Sequence, residues 1–231
     1  AVDDPPTVRA TLGGGAVSGS PRVVTLDATG SRAGPEGDDA ELTQGLAYAW
    51  TQLSGPAPRT ILGGSDATVR IVAREAGVYR FRGSVTQVGG ATAATASADL
   101  EFSVTNVRPE LVVVAPRVAE PGQSVSIRAD LSIDANEDLP ASAFSLEATS
   151  PATATTSVAV SATSTGGFRV TLPGQPGTFR FRLSARDAGF READGTHTSP
   201  LTTTTELTIV AGPPESLPPS ADAGPDQVVR P

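Results

Sequence analysis

Two stretches of the chain carry the same alternation of apolar and polar positions. Tyr79, Phe81 and Val85 alternate with Arg80, Arg82 and Ser84; Phe179, Phe181 and Leu183 alternate with Arg180, Arg182 and Ser184. A period of two sends successive side chains to opposite faces, so each stretch predicts a half-buried strand. Thr68–Val72 and Phe168–Leu172 predict the strands before them, the second with Phe168, Val170 and Leu172 on one face. Leu100, Phe102 and Val104 predict the last strand of the first half, and Leu207 and Ile209 that of the second. Gly77 and Gly177 stand where the chain enters its long strands, at turns that often need a positive φ. No long stretch has helical periodicity. Ala91–Ala98 reads as loop running into strand, and the Thr-rich run 150–165, with Val158 and Val160, predicts an edge strand.

The halves correspond further. Gly77-Val-Tyr-Arg-Phe-Arg-Gly-Ser84 matches Gly177-Thr-Phe-Arg-Phe-Arg-Leu-Ser184, Val24-Thr-Leu-Asp-Ala28 matches Val125-Ser-Ile-Arg-Ala129, and Tyr48-Ala-Trp50 matches Phe144-Ser-Leu146. A spacing of about 100 residues is the size of one immunoglobulin-like sandwich. The expected fold is therefore all-β: two tandem sandwiches of about seven strands each, over 1–107 and 108–212. Residues 213–231 then read as a proline-rich, semi-extended linker and the start of a further repeat, Ala221-Asp-Ala-Gly-Pro-Asp-Gln-Val-Val229.

Leu46-Ala-Tyr-Ala-Trp-Thr-Gln-Leu-Ser-Gly-Pro56 lies between Val-Thr-Leu-Asp-Ala-Thr-Gly-Ser (24–31) and Ala-Gly-Val-Tyr-Arg-Phe-Arg (76–82). Together they resemble the polycystic-kidney-disease (PKD) repeat, in the variant related to the receptor-for-egg-jelly modules. The resemblance implies an immunoglobulin-like sandwich in large extracellular or surface proteins, with a buried aromatic on the third strand. Trp50 takes that place, and Tyr79, Phe81, Phe179 and Phe181 complete the expected core. The second unit departs from the pattern: Leu146 stands where Trp is expected, and Ser-Gly-Pro survives only as Thr149-Ser-Pro151. It is expected to be a divergent PKD-like or immunoglobulin-like domain.

Composition narrows the function. Formal net charge is −8, against a nucleic-acid or anionic-membrane partner, both of which need a basic patch. No apolar run approaches the roughly 20 residues of a membrane-spanning helix. There is no cysteine, so neither a disulfide nor a thiolate is available. All 17 basic residues are arginine, which removes a Walker-type phosphate loop and a Schiff-base lysine. Arginine without lysine, with abundant Ala, Gly and Pro, points to a GC-rich bacterial genome. There is no methionine, even at position 1, so a processed or excised piece of a longer tandem array is expected.

Candidate chemistry centres on two acidic loops. Asp38, Asp39 and Glu41 lie in Glu36-Gly-Asp-Asp-Ala-Glu41; Asp134, Glu137 and Asp138 lie in Asp134-Ala-Asn-Glu-Asp138. Some PKD repeats bind calcium near this loop, and calcium takes six to eight oxygen ligands. Both loops are candidate Ca2+ sites, weighed against solvated caps; neither has EF-hand spacing. No other cofactor is expected. His197 stands alone and no Gly-x-Ser-x-Gly elbow exists, so it reads as an exposed loop residue. Phe190 reads as a loop residue that packs. The stripes Arg80/Arg82 and Arg180/Arg182 either pair with acids across strands or meet an acidic partner.

The expected function is non-enzymatic. The chain reads as a structural and adhesive segment of a large exported bacterial surface protein, a spacer and interaction module. Its expected partners are a protein or glycan at the cell surface and neighbouring repeats of the same chain. The alternative is an ancillary PKD-type module of a secreted protease or polysaccharidase that positions substrate.

Overall fold

The structure is a computed structural model; it describes residues 5–13, 22–34, 45–61, 63–88, 93–150 and 158–212. Among them run fifteen strands and one 3-10 turn (Ala141–Ala143). In chain order they are β1 (Thr11–Gly13), β2 (Arg22–Asp27), β3 (Gly45–Ser54), β4 (Thr68–Ala73) and β5 (Gly77–Val88). There follow β6 (Thr95–Val104), β7 (Val118–Ala119), β8 (Ser124–Arg128), β9 (Phe144–Ser150) and β10 (Ala159–Ser164). The last are β11 (Gly167–Thr171), β12 (Gly177–Arg186), β13 (Phe190–Arg191), β14 (His197–Thr198) and β15 (Thr202–Ala211). Proximity groups the residues into two compact units. The first takes Ala1–Glu110, Ile133–Leu139 and Arg186–Thr203; the second takes Leu111–Ser132, Pro140–Ala185 and Thr204–Pro231. The first thus includes two stretches, 133–139 and 186–203, that the sequence reading counts with 108–212.

In the first unit, β1-β2-β4 forms one antiparallel sheet, and β3-β5-β6 forms the other. Val24 and Leu26 of β2 and Val69, Ile71 and Ala73 of β4 share one buried cluster with Trp50, Tyr79, Phe81, Phe102 and Val104. Two sheets closing on one core make a sandwich, in the strand order of an immunoglobulin-like fold. Tyr79 and Phe81 both stack on Phe102, so β5 and β6 meet through aromatic pairs as well as their ladder. A short hairpin, β13–β14, extends this sheet where Arg191 pairs in parallel with Gly77 at the start of β5.

The second unit holds the sheets β10-β11-β8 and β7-β15-β12-β9. Val125, Ile127, Phe168 and Val170 from the first, and Phe179, Phe181, Leu183, Ala185 and Ile209 from the second, are buried. The run expected to be an edge strand gives β10, which ends its sheet. Ala91–Ala98 turns into strand at Thr95.

The units solve one packing problem in opposite ways. Trp50 faces Gly83 across β3 and β5, and a Cβ on Gly83 would lie 2.7 Å from Trp50 Cζ3. The matching pair across β9 and β12 is Leu146 and Leu183. One unit combines a very large side chain with none; the other uses two of middle size. Leu146 is accordingly only half-buried, whereas Trp50 is buried and donates its indole N–H to the Asp66 carbonyl at 3.0 Å.

Candidate functional site

Polar side chains gather at one end of the first unit's sandwich, around a turn and a loop. The turn is Ser54-Gly55-Pro56, directly after β3. The Gln52 amide holds it: Nε2 donates to the carbonyls of Ala57 (3.0 Å) and Ser54 (3.4 Å), and Oε1 accepts from the Arg59 N–H (2.7 Å). Position 55 must be glycine because a Cβ there would lie 2.5 Å from Gln52 Nε2 and 2.8 Å from the Tyr79 ring. The Arg59 guanidinium pairs with the Glu75 carboxylate and lies over the Tyr79 ring. The Tyr79 hydroxyl donates to the Glu75 carbonyl at 3.0 Å. Burial pushes the Tyr79 phenol above its ordinary pKa, against the pull of Arg59.

This turn receives β13. Arg191 Nη1 donates to the Pro56 carbonyl (2.7 Å), and its backbone N–H donates to Ala76 (3.1 Å). Gly77, at φ +150°, lets the chains touch; a Cβ there would lie 2.5 Å from the Arg191 carbonyl oxygen. The stretch Tyr48–Pro56 thus ends in a self-braced turn that docks a hairpin.

The loop is 134–138, one of the two candidate calcium loops. Its carbonyls point at a cation, and that cation is Arg74. The guanidinium donates to the carbonyls of Asp134 (3.2 Å), Ala135 (3.2 Å) and Glu137 (3.0 Å), and Nη1 pairs with the Asp138 carboxylate at 3.0 Å. Asn136, 3% exposed, ties together the segments that leave β4 and β6: Nδ2 donates to the carbonyls of Arg74 (2.9 Å) and Thr105 (3.2 Å), and Oδ1 accepts from the Val107 N–H (2.6 Å).

The carboxylates face backbone donors. Asp134 Oδ1 accepts from Asn136 (2.7 Å) and Glu137 (3.2 Å) N–H, and Glu137 Oε1 accepts from Ala188 N–H (2.6 Å). Asp187 accepts from Leu201 N–H (2.7 Å) and from the Asn106 side-chain amide (3.1 Å). Asp134 and the neighbouring Asp187 are each 5% exposed, while Asp138 is exposed, so the loop is partly buried rather than a fully solvated cap. Burial lifts the Asp134 carboxyl above its ordinary range; its two backbone bonds and Arg74 oppose this, and the Asp187 charge adds to it. Asp134 Oδ2 is buried without a hydrogen-bond partner, which fits a carboxyl that keeps its proton longer than usual. Burial also raises Glu137, opposed by the Ala188 N–H and His197 and reinforced by Asp134 and Asp187.

Among the described residues no three His, Cys, Asp or Glu side chains come together as metal ligands. Asp134 and Glu137 bond to backbone N–H groups, and Asp138 pairs with Arg74. Asp38, Asp39 and Glu41 lie outside the described residues. His197 is in β14 and exposed, and Phe190 is in β13 and half-buried rather than in a loop. Three of the four stripe arginines pair across strands: Arg80 with Glu101 (2.6 Å), Arg82 with Asp99 through two bonds (2.7 and 2.9 Å), and Arg182 with Glu206 (3.8 Å).

Sequence reasoning singled out the acids and missed Arg74, Asn106, Asn136 and Asp187. A signal existed for Arg74. It stands three residues before Gly77, where the second half has Gly174 before Gly177.

No protein-family model matches the chain. No curated protein matches it in sequence. Solved structures with some likeness include a nucleoside hydrolase-related protein of Saccharophagus degradans. It is 24% identical, with 46% of this chain and 26% of that one covered and a TM-score of 0.37. The human desmocollin-1 ectodomain is 11% identical, over 76% of this chain and 36% of that one, at 0.36. The Yersinia pseudotuberculosis adhesin InvE is 18% identical, over 88% and 58%, at 0.35. The chain spans less than two thirds of each of these proteins. No helix among the described residues is long and apolar enough to cross a membrane. Strand order and burial establish an all-β sandwich chain.

Proposed function

We propose that this chain is a non-enzymatic structural and adhesive segment of an exported bacterial surface protein, a spacer and interaction module. One observation carries the reading. At the polar end of the first unit, side chains that catalysis or metal binding would use are committed to backbone groups. Arg74 takes three carbonyls. Asn136 takes two carbonyls and an N–H, and Asp134, Glu137 and Asp187 take N–H donors. Such groups hold a fold rather than turn over a substrate. The cavity they leave, lined by Glu75, Asn106, Glu137, Arg191 and His197, is about 80 Å3. Binding pockets for small molecules run to roughly 300–1,000 Å3. The resemblance to PKD repeats supports the extracellular setting.

The test is made on intact cells of the bacterium that encodes the chain, with an epitope tag placed in the parent protein next to it. Antibody labelling and removal by external protease are expected without lysis. A tag protected until the cells are broken overturns the reading. So does turnover of ester, glycoside or peptide substrates by the purified chain.

A further inference from the structure

The interaction half of that reading lacks a surface, and β4 provides one. In the sheet β1-β2-β4, β4 pairs with β2 alone among the described residues. Their register runs unbroken from Arg22↔Ala73 to Asp27↔Thr68. The Ala28 N–H bonds to the Ala67 carbonyl, so by antiparallel alternation Leu26/Val69 and Val24/Ile71 exchange hydrogen bonds. The N–H and C=O groups of Thr68, Arg70 and Val72 then point to the open side. Among the described residues nothing bonds to them there.

Proteins blunt such an edge with a bulge, a proline, charges or a covering strand. β4 has no bulge or proline and one charge, Arg70, and no strand lies among the described residues between β3 and β4. Its outward face is apolar at the pair Val23↔Val72, which are 42% and 54% exposed. A surface groove of about 530 Å3 runs along Val23, Thr68, Val69, Arg70 and Val72. Other edges are managed: β3 is bulged between Gln52 and Ser54, and β6 carries Asp99 and Glu101 already paired with Arg82 and Arg80. Arg70 differs from these arginines. Among the described residues no carboxylate pairs with it.

We infer that β4 captures an extended segment of a partner protein as an added antiparallel strand. That segment is acidic opposite Arg70 and β-branched on either side. Backbone hydrogen bonds from Thr68, Arg70 and Val72 hold the strand, and alternate side chains select it. The residue directly opposite Arg70 shares its face, so a Glu there meets its guanidinium. The residue opposite Val72 joins the Val23–Val72 patch. A second copy of β4 centred on this register sets Arg70 against Arg70, which disfavours self-pairing.

The inference deepens the proposed function and rests on it. Surface exposure is read on cells and strand capture in the tube, so each can fail alone. The probe is the peptide Gly-Val-Val-Glu-Val-Thr-Gly, titrated into the isotope-labelled chain and compared with the version that has Lys for Glu. The expected result is shifts and slowed exchange at the Thr68, Arg70 and Val72 amides. The Glu peptide is expected to bind about fivefold tighter, the swing of one attractive for one repulsive cross-strand pair. Arg70→Glu, at an exposed side chain, is expected to reverse the preference. Equal binding of both peptides, shifts centred elsewhere, no binding, or self-association through β4 overturns the inference.

Discussion

Trp50 fits because position 83 is glycine. The pair is a single unit of packing, and a Cβ on residue 83 meets the indole at 2.7 Å. Gly83→Val is therefore expected to destabilise the chain by about 1–3 kcal/mol, the usual cost of overpacking. Trp50→Ala is expected to cost roughly 3–5 kcal/mol through the cavity it opens. The double change Trp50→Leu, Gly83→Leu, which copies Leu146/Leu183, is expected to be more stable than Gly83→Leu alone. Urea unfolding of the four variants checks this, and a double variant no better than Gly83→Leu contradicts it. Asn136→Ala removes three part-buried hydrogen bonds, to the carbonyls of Arg74 and Thr105 and from the Val107 N–H. At about 0.5–1.5 kcal/mol for each bond, a loss of roughly 2–4 kcal/mol is expected by the same measurement, whereas an exposed loop residue would change almost nothing. The aromatic and aliphatic members of the core were legible because alternation marks them. Gly83 was legible only in retrospect, by comparing the two halves. Arg74 and Asn136 were not, since a residue that bonds to backbone groups leaves no periodic trace.

At the scale of elements, the long strands β4, β5, β6, β11, β12 and β15 were readable from period two alone. The hairpin β13–β14 was not, because two-residue strands are shorter than any period. Gly77 and the carbonyls of Pro56 and Ala76, distant in sequence, give it a place. The 134–138 loop likewise read as a charged surface loop because its charge was visible and the burial of Asp134 and Asn136 was not. That burial has a consequence in pH. Asp134 and Glu137 have folded pKa values raised above their unfolded ones. The folded state thus keeps protons that the unfolded chain has lost, and stability falls as pH rises from the ordinary carboxylate value, about 4, through the raised values. Asp27 and Asp194 shift the other way through bonds from Thr29 and Thr196, so their contribution is lost as pH falls below that range. The urea midpoint is expected to decline from mildly acid to neutral pH, and Asp134→Asn with Glu137→Gln is expected to flatten the decline. An unchanged slope in the double variant would put the titration elsewhere.

For the whole molecule, the all-β sandwich was foreseeable from the repeat, and the chemistry of the polar end was not. The acids of 134–138 suggested a metal, yet the loop's carbonyls turn to Arg74. Millimolar calcium is accordingly expected to leave the amide signals of 134–138 in place, read by NMR so that the 36–41 loop does not confuse the result. Movement of those signals on calcium addition, reversed by chelator, would show that a metal displaces the guanidinium. The central claim is that 133–139 and 186–203 are integral to the first unit, locked there by Arg74, Asn136 and three carboxylates. Native-state hydrogen exchange of the full chain tests it most directly. The Val107, Glu137, Ala188 and Leu201 amides, which donate to Asn136, Asp134, Glu137 and Asp187, should exchange as slowly as the β5 amides of Tyr79 and Phe81. Exchange of these amides at loop rates while β5 stays protected would contradict it.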